Sequence, residues 1–77
     1  MTKSEFYKII EDIAEVPPGT VKGNEQLSDW DGWDSLAIVA FIAAMDKHLN
    51  FAVPPKPLVQ ARSVPDLVAL VAEHLTD

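Results

Sequence analysis

Cysteine is absent from the 77 residues, which excludes a disulfide framework and any Cys-based metal or redox centre. Long apolar runs are missing as well: no stretch approaches the roughly 20 consecutive apolar residues that a membrane span requires. Cations are scarce. Six Lys and Arg stand against twelve Asp and Glu, a formal net charge of −6, and that balance repels nucleic acid phosphates and anionic lipid headgroups while favouring basic partner surfaces. Acidity also keeps a small protein soluble whatever it does, so charge alone selects no function. The opening Met1-Thr2-Lys3 lacks the apolar segment of a signal peptide, and a cytoplasmic location is expected.

What is present suffices for one small domain over residues 1–77. Apolar residues make up 48% of the chain, too many for a disordered segment. A domain of this length buries only about 60% of its unfolded surface, which leaves no room for a large enclosed active site. The sequence contains no internal repeat and no low-complexity segment. Thr2 followed three residues later by Glu5 has the spacing of a capping box, and Phe6, Ile9, Ile10 and Ile13 recur at helical intervals, so the first helix is predicted from about Lys3 to Glu15. It must stop before Pro17 and Pro18. From about Val16 to Trp33 the chain carries Pro-Pro-Gly, Gly23, Asn24 and Gly32, the residues of a long loop, with Val21, Leu27 and Trp30 placed to pin it to a core.

A second helix is predicted from Asp34-Ser35 to about Leu49, closed by Asn50, with Ile38, Phe41, Ile42, Met45 and Leu49 facing inward. Pro54, Pro55 and Pro57 leave space for only a short third turn or helix around Leu58 to Ala61. Ser63 and Asp66 form the next capping pair, Pro65 is tolerated in a first turn, and Val64, Leu67, Val68, Val71 and Leu75 make the buried stripe of a last helix. The expected fold is all-α, an up-and-down four-helix bundle with a short third helix and a long first loop.

Chemistry concentrates in Asp29-Trp30-Asp31-Gly32-Trp33-Asp34-Ser35-Leu36. Asp34 is a good N-cap and Ser35 a first-turn residue, as at many helix starts. A helix N-terminus also offers free N–H groups and the positive end of the dipole, which would stabilise a phosphate esterified to Ser35. The other use of such a serine is as a catalytic nucleophile, which needs a base within hydrogen-bond reach. His48 lies thirteen residues further along the same predicted helix, about 20 Å of rise, and nothing in the sequence brings His74 to Ser35. Both histidines are expected at exposed helix ends. A calcium loop starting at Asp29 fails, because its fifth, sixth and twelfth positions hold Trp33, Asp34 and Ala40 where Asp or Asn, Gly and Glu are needed.

Asp34-Ser35-Leu36 resembles the attachment motif of acyl carrier proteins, and the resemblance extends from about Thr2 to Leu75, through the apolar run after the motif, the Phe51-Ala52-Val53-Pro54 stretch, and the short helix followed by a Ser-capped last helix. The resemblance implies a covalent 4′-phosphopantetheine on Ser35, flanked by Asp34 and Leu36, and no catalytic residue or metal. By the same resemblance a phosphopantetheinyl transferase with Mg²⁺ moves the arm from coenzyme A onto Ser35. Its thiol then carries acyl groups between acyl-loading and acyl-accepting enzymes, and the carrier is expected to be a monomer that is not itself an enzyme.

The outer side of the second helix departs from the glutamate-rich pattern of bacterial fatty-acid carriers. It offers Ala37, Ala40, Ala43, Ala44, Lys47 and His48, with Asp46 the one acid. Leu36, Val39, Ala40 and Ala43, with Trp33 beside them, are read as a docking face, and a specialised lipid, polyketide or cell-envelope pathway is expected in place of primary fatty-acid synthesis. A peptidyl carrier of nonribosomal synthesis would share the architecture and the serine. A helical adaptor would use the apolar strip alone. An apolar cargo is expected inside the bundle, between Ile42 and Met45 on the second helix and Val68 and Val71 on the last.

Overall fold

The capping box at Thr2 forms as its spacing requires. The Thr2 hydroxyl accepts the N–H of Glu5 at 3.1 Å, and the Glu5 carboxylate accepts the N–H of Thr2 at 2.9 Å. This starts α1, Lys3–Ala14, in a computed structural model that describes all residues 1–77. Helix α1 stops one residue earlier than its apolar pattern suggests, because Glu15 turns into the left-handed region (φ 59°) and caps the end. Glu15 and Val16 both donate to the Glu11 carbonyl, so the last turn closes on itself before the prolines.

The side chain of Glu11 then organises the loop. One of its carboxylate oxygens accepts the N–H of Gly19 at 2.8 Å and of Val21 at 2.9 Å. Glu11 is the buried polar residue of a core otherwise made of apolar side chains. Val21 and Leu27 are buried and Trp30 half-buried, the pinning expected of them. A 3₁₀ turn over Leu27–Asp29 interrupts the loop, and there the chain pairs with a distant segment. The N–H of Leu27 donates to the Arg62 carbonyl at 2.9 Å, and that of Val64 to the Glu25 carbonyl at 2.9 Å. At the loop's far end Gly32 lies against the end of α1. A Cβ built on Gly32 would stand 2.0 Å from the Ala14 carbonyl oxygen, so only glycine allows this approach.

Helix α2, Ser35–Leu49, begins at Asp34, whose carboxylate accepts the N–H of Ala37 at 3.0 Å, and ends at Asn50 in the left-handed region (φ 51°). Both ends fall where the sequence puts them. Its inward line is Ala37, Phe41 and Met45, with Ile38, Ile42 and Leu49 half-buried beside it. Ala37 is 3% exposed, which corrects its place on the outer side. It lies one turn before Phe41, on the same inward line of the helix. Ala44 is likewise half-buried.

Helix α3, Pro55–Gln60, starts earlier than expected, because prolines in a first turn lack N–H groups that would have no intrahelical partner anyway. Leu58 is its buried residue. Helix α4, Val64–Leu70, is capped by Ser63, which accepts the N–H of Asp66 at 3.3 Å, while the Asp66 carboxylate accepts the N–H of Arg62 at 2.9 Å. The apolar stripe suggested a longer helix, but the chain leaves α-geometry at Val71 and continues as a 3₁₀ turn over Ala72–His74. The tail instead pairs with the start of α1, through the N–H of Thr76 on the Met1 carbonyl at 2.8 Å. Helix α1 packs on α2, α2 on α3 and α3 on α4, around a core that joins Phe6, Ile10, Phe41, Met45, Leu58, Leu67 and Val71. No strand is present, and the fold is the small all-helical bundle expected.

Two outcomes test this account. Glu11→Ala strands the buried N–H of Val21 and is expected to cost about 2–4 kcal/mol in urea unfolding, with faster amide exchange at Gly19 and Val21, whereas Glu11→Gln keeps an acceptor and costs about 1 kcal/mol. The second concerns acid. Partial burial pushes the Glu25 carboxyl up, but the N–H groups of Gly23 (3.0 Å) and Lys22 (2.8 Å) outweigh it and hold it below the usual range. The Arg62 N–H does the same for Asp66, and the Thr2 N–H for Glu5. A lowered folded-state pKa contributes stability that is complete above the unfolded value, near about 4, and is lost as pH falls through the folded value. Stability is therefore expected to be level above about pH 5 and to fall below about pH 4. Glu25→Gln should lower the urea midpoint at pH 7 and leave it unchanged at pH 2.5; an equal loss at both would show that the charge is not what holds the turn.

Candidate functional site

Ser35 is the first residue of α2 and is exposed. Its position follows from the two contacts just before it, Gly32 against Ala14 and the Asp34 cap on Ala37. Among the first-turn donors, Ala37 is taken by the Asp34 carboxylate and Ile38 by the Asp34 carbonyl at 3.1 Å. The N–H groups of Ser35 and Leu36 have no partner in the chain and face the solvent end of the helix, where the dipole amounts to roughly half a positive charge. An exposed hydroxyl, two free donors and a helix N-terminus fit a phosphodiester on Ser35. The nearest negative charge, Asp34, is turned into the helix by its own hydrogen bond.

No base stands near this hydroxyl. His48 is exposed in the last turn of α2, at the opposite end of that helix. His74 is half-buried rather than exposed, because its ring stacks on Phe51 with centroids 4.5 Å apart, just beyond the end of α2.

The apolar strip is where helical spacing puts it. Leu36 is 77% and Val39 64% exposed, and Ala40 and Ala43 are exposed on the same side. Sequence reasoning missed Val59, which is 63% exposed on α3. Its signal was available: a β-branched residue directly after the inward Leu58 must point outward. A cleft of about 270 Å³ runs along the strip's edge between Ile13 and the cap Glu15 at the end of α1 and the cap Asp34, Leu36 and Ala40 at the start of α2.

Trp33 is only half available to a partner. Its indole meets Phe41 edge-on at 6.1 Å, and Phe41 in turn meets Phe6 edge-on at 5.9 Å. The side chain also walls a second cleft of about 370 Å³ with Gln26, Leu27, Ser28, Ala61 and Arg62. The interior site expected for an apolar cargo is not open. Met45 and Val71 are fully buried in the packed core, Ile42 and Val68 are half-buried, and neither cleft lies between them.

A family model described as phosphopantetheine attachment site matches residues 4–71. The match spans all four helices and the long loop. No curated protein and no solved structure matches the chain.

Proposed function

The chain belongs to the phosphopantetheine attachment-site family, whose domains are the site of covalent 4′-phosphopantetheine attachment, and from that premise we propose that Ser35 is the attachment residue of an acyl carrier. The observation that carries the assignment is the exposed Ser35 hydroxyl beside two unpaired N–H groups at the start of α2. When bound, the arm supplies a terminal thiol that holds acyl groups as thioesters. The protein's part is to present and steady it. The Ser35 oxygen becomes the ester oxygen, the N–H groups of Ser35 and Leu36 and the helix dipole offset the phosphate charge, and Asp34 keeps the first turn wound. Ser63 is committed to capping α4.

The partners follow from the same reading: a phosphopantetheinyl transferase, then enzymes that load and accept the acyl group. The exposed strip of Leu36, Val39, Ala40 and Ala43, next to Ser35, is proposed as their docking face. No helix is long and apolar enough to cross a membrane. The sparsely acidic outer side of α2, with Asp46 alone, favours a specialised lipid, polyketide or cell-envelope pathway with a dedicated loading enzyme.

Incubation with a promiscuous transferase and coenzyme A, read by intact mass, is expected to add one arm to the wild type and none to Ser35→Ala. That variant should still fold, because Asp34 retains the cap and alanine is a good helix former. Ser4→Ala and Ser28→Ala should load normally. An arm on Ser35→Ala would move the site elsewhere, and a wild type that never gains one would favour a helical adaptor.

Docking through an apolar face predicts weak salt dependence. An exposed ion pair contributes only about 0–1 kcal/mol and is screened over a Debye length of about 8 Å, so a carrier recognised by acidic contacts loses affinity as salt rises. Here dissociation from the loading enzyme should be nearly independent of salt, although the charge of −6 can still speed encounter at low salt. Ala40→Glu or Ala43→Glu should weaken affinity about tenfold or more by placing a charge in an apolar contact. A steep salt dependence with an unaffected Ala40→Glu would transfer recognition to Asp29, Asp31 and Asp34.

A further inference from the structure

The cleft beside Trp33 is built from parts that are fixed relative to one another. Leu27 on one wall and Arg62 on the other are joined through the backbone at 2.9 Å, and the Val64–Glu25 hydrogen bond of equal length locks the same junction. Leu27 is itself a member of the buried core. The third wall, Trp33, precedes Ser35 by two residues, so a flexible group tethered at Ser35 can reach it. The lining mixes apolar surface from Leu27, Trp33 and Ala61 with hydrogen-bonding groups on Gln26 and Ser28 and one cation, Arg62.

Trp33 separates this cleft from the interior. Trp33 lines the cleft, and its indole also packs in a T-shaped arrangement on Phe41, a ring with no exposed surface. Behind Phe41 the core is closed: Phe6, Met45, Leu58, Leu67 and Val71 are all fully or almost fully buried. A long alkyl chain entering the core from this cleft would have to displace the indole and part this packing. It would gain little in the cleft itself, which is open to water and half polar in its lining. The charge arrangement favours an anion at the far end. Arg62 is the sole cation lining the cleft, in a chain of net charge −6. The Asp66 carboxylate on that junction accepts the backbone N–H of Arg62 at 2.9 Å and feels the charge of the Arg62 guanidinium, but the guanidinium itself donates no hydrogen bond to it, so its donors stay free for a ligand.

We propose that Trp33 closes the core to cargo and that its cleft holds the acyl group at the surface, where Arg62 selects short groups ending in a carboxylate over long alkyl chains. The inference rests on the carrier reading above. Guanidinium and carboxylate meet in two parallel charge-assisted hydrogen bonds, and Ser28 and Gln26 can bond the remaining polar atoms.

The test loads the protein, through a promiscuous transferase, with succinyl-, butyryl- or octanoyl-coenzyme A, and confirms one arm by intact mass. Succinyl and butyryl arms have equal length and differ in the terminal carboxylate. The succinyl form is expected to shift the Trp33 indole and Arg62 Nε resonances relative to the unacylated arm, the butyryl form to shift them less than half as far, and Arg62→Gln to remove that difference. The octanoyl form should leave the Met45 and Val71 methyl resonances and the melting temperature unchanged in the wild type. In Trp33→Ala the same chain should shift those methyls and raise the melting temperature, by entering the space the indole vacates. Equal shifts from succinyl and butyryl, or octanoyl-induced methyl shifts in the wild type, overturn the proposal, and both readings are independent of whether Trp33→Ala folds. A chain that accepts no arm at all overturns the carrier reading instead, so the two failures are distinguishable.

Discussion

The Glu11 carboxylate holds the long loop to the bundle, and the placement of everything after it depends on that hold. Its backbone carbonyl receives the two N–H groups that end α1, and its side chain receives the N–H groups of Gly19 and Val21. A segment rich in proline and glycine has little intrinsic structure, and ordering it costs about 1–2 kcal/mol per residue in backbone entropy. Without an internal anchor the loop would deliver Trp33 and Ser35 to no fixed place. A buried carboxylate that accepts two backbone donors supplies one. The Leu27–Arg62 and Val64–Glu25 hydrogen bonds then fasten the loop's second half to the junction before α4.

Helix α2 faces opposite demands on its two sides. Ala37, Phe41 and Met45 are buried, yet Leu36, Val39, Ala40 and Ala43 are bare. An apolar outer strip invites self-association, and ordinary surface helices avoid it by placing charge there. Here the strip is narrow and mostly of small side chains, and the acidic balance of the rest of the chain opposes close approach of like molecules. The strip lies next to the exposed Ser35.

The site contains almost no chemistry of its own. Ser35 has no base within reach, and the two histidines lie at the other end of α2, one in solvent and one stacked on Phe51. A bundle of this size buries a modest share of its surface, which leaves little volume for an enclosed reaction centre. Such a protein can hold a reactive group in a defined place and offer it to enzymes that do enclose one. Its own influence on the group is confined to the electrostatics of one helix start and the shape of the adjoining clefts.

Much of this was legible in the sequence because it is local. Thr2 with Glu5, Asp34 with Ala37, Asn50, and Ser63 with Asp66 act through bonds spanning a few residues, so the starts of α1, α2 and α4 and both ends of α2 could be read from spacing alone. The exposed strip beside Ser35 followed from helical periodicity. The errors share one cause, that burial and pairing are decided by residues far apart in the chain. Glu11 reads as a surface acid until the loop folds onto it. Ala37 reads as a helix-favouring filler until α2 turns it inward beside Phe41, and His74 as a free end until Phe51 meets it. The last helix ends at Leu70 although its apolar stripe continues, and its tail pairs with Met1. The sequence by itself determined the helices, their caps and the position of Ser35 at a helix start, because those are short-range hydrogen-bonding matters. Only the tertiary structure decided that Trp33 packs on Phe41 and that a cleft lined by Leu27, Trp33 and Arg62 forms, because both require the loop, α2 and the α3–α4 junction to meet in space.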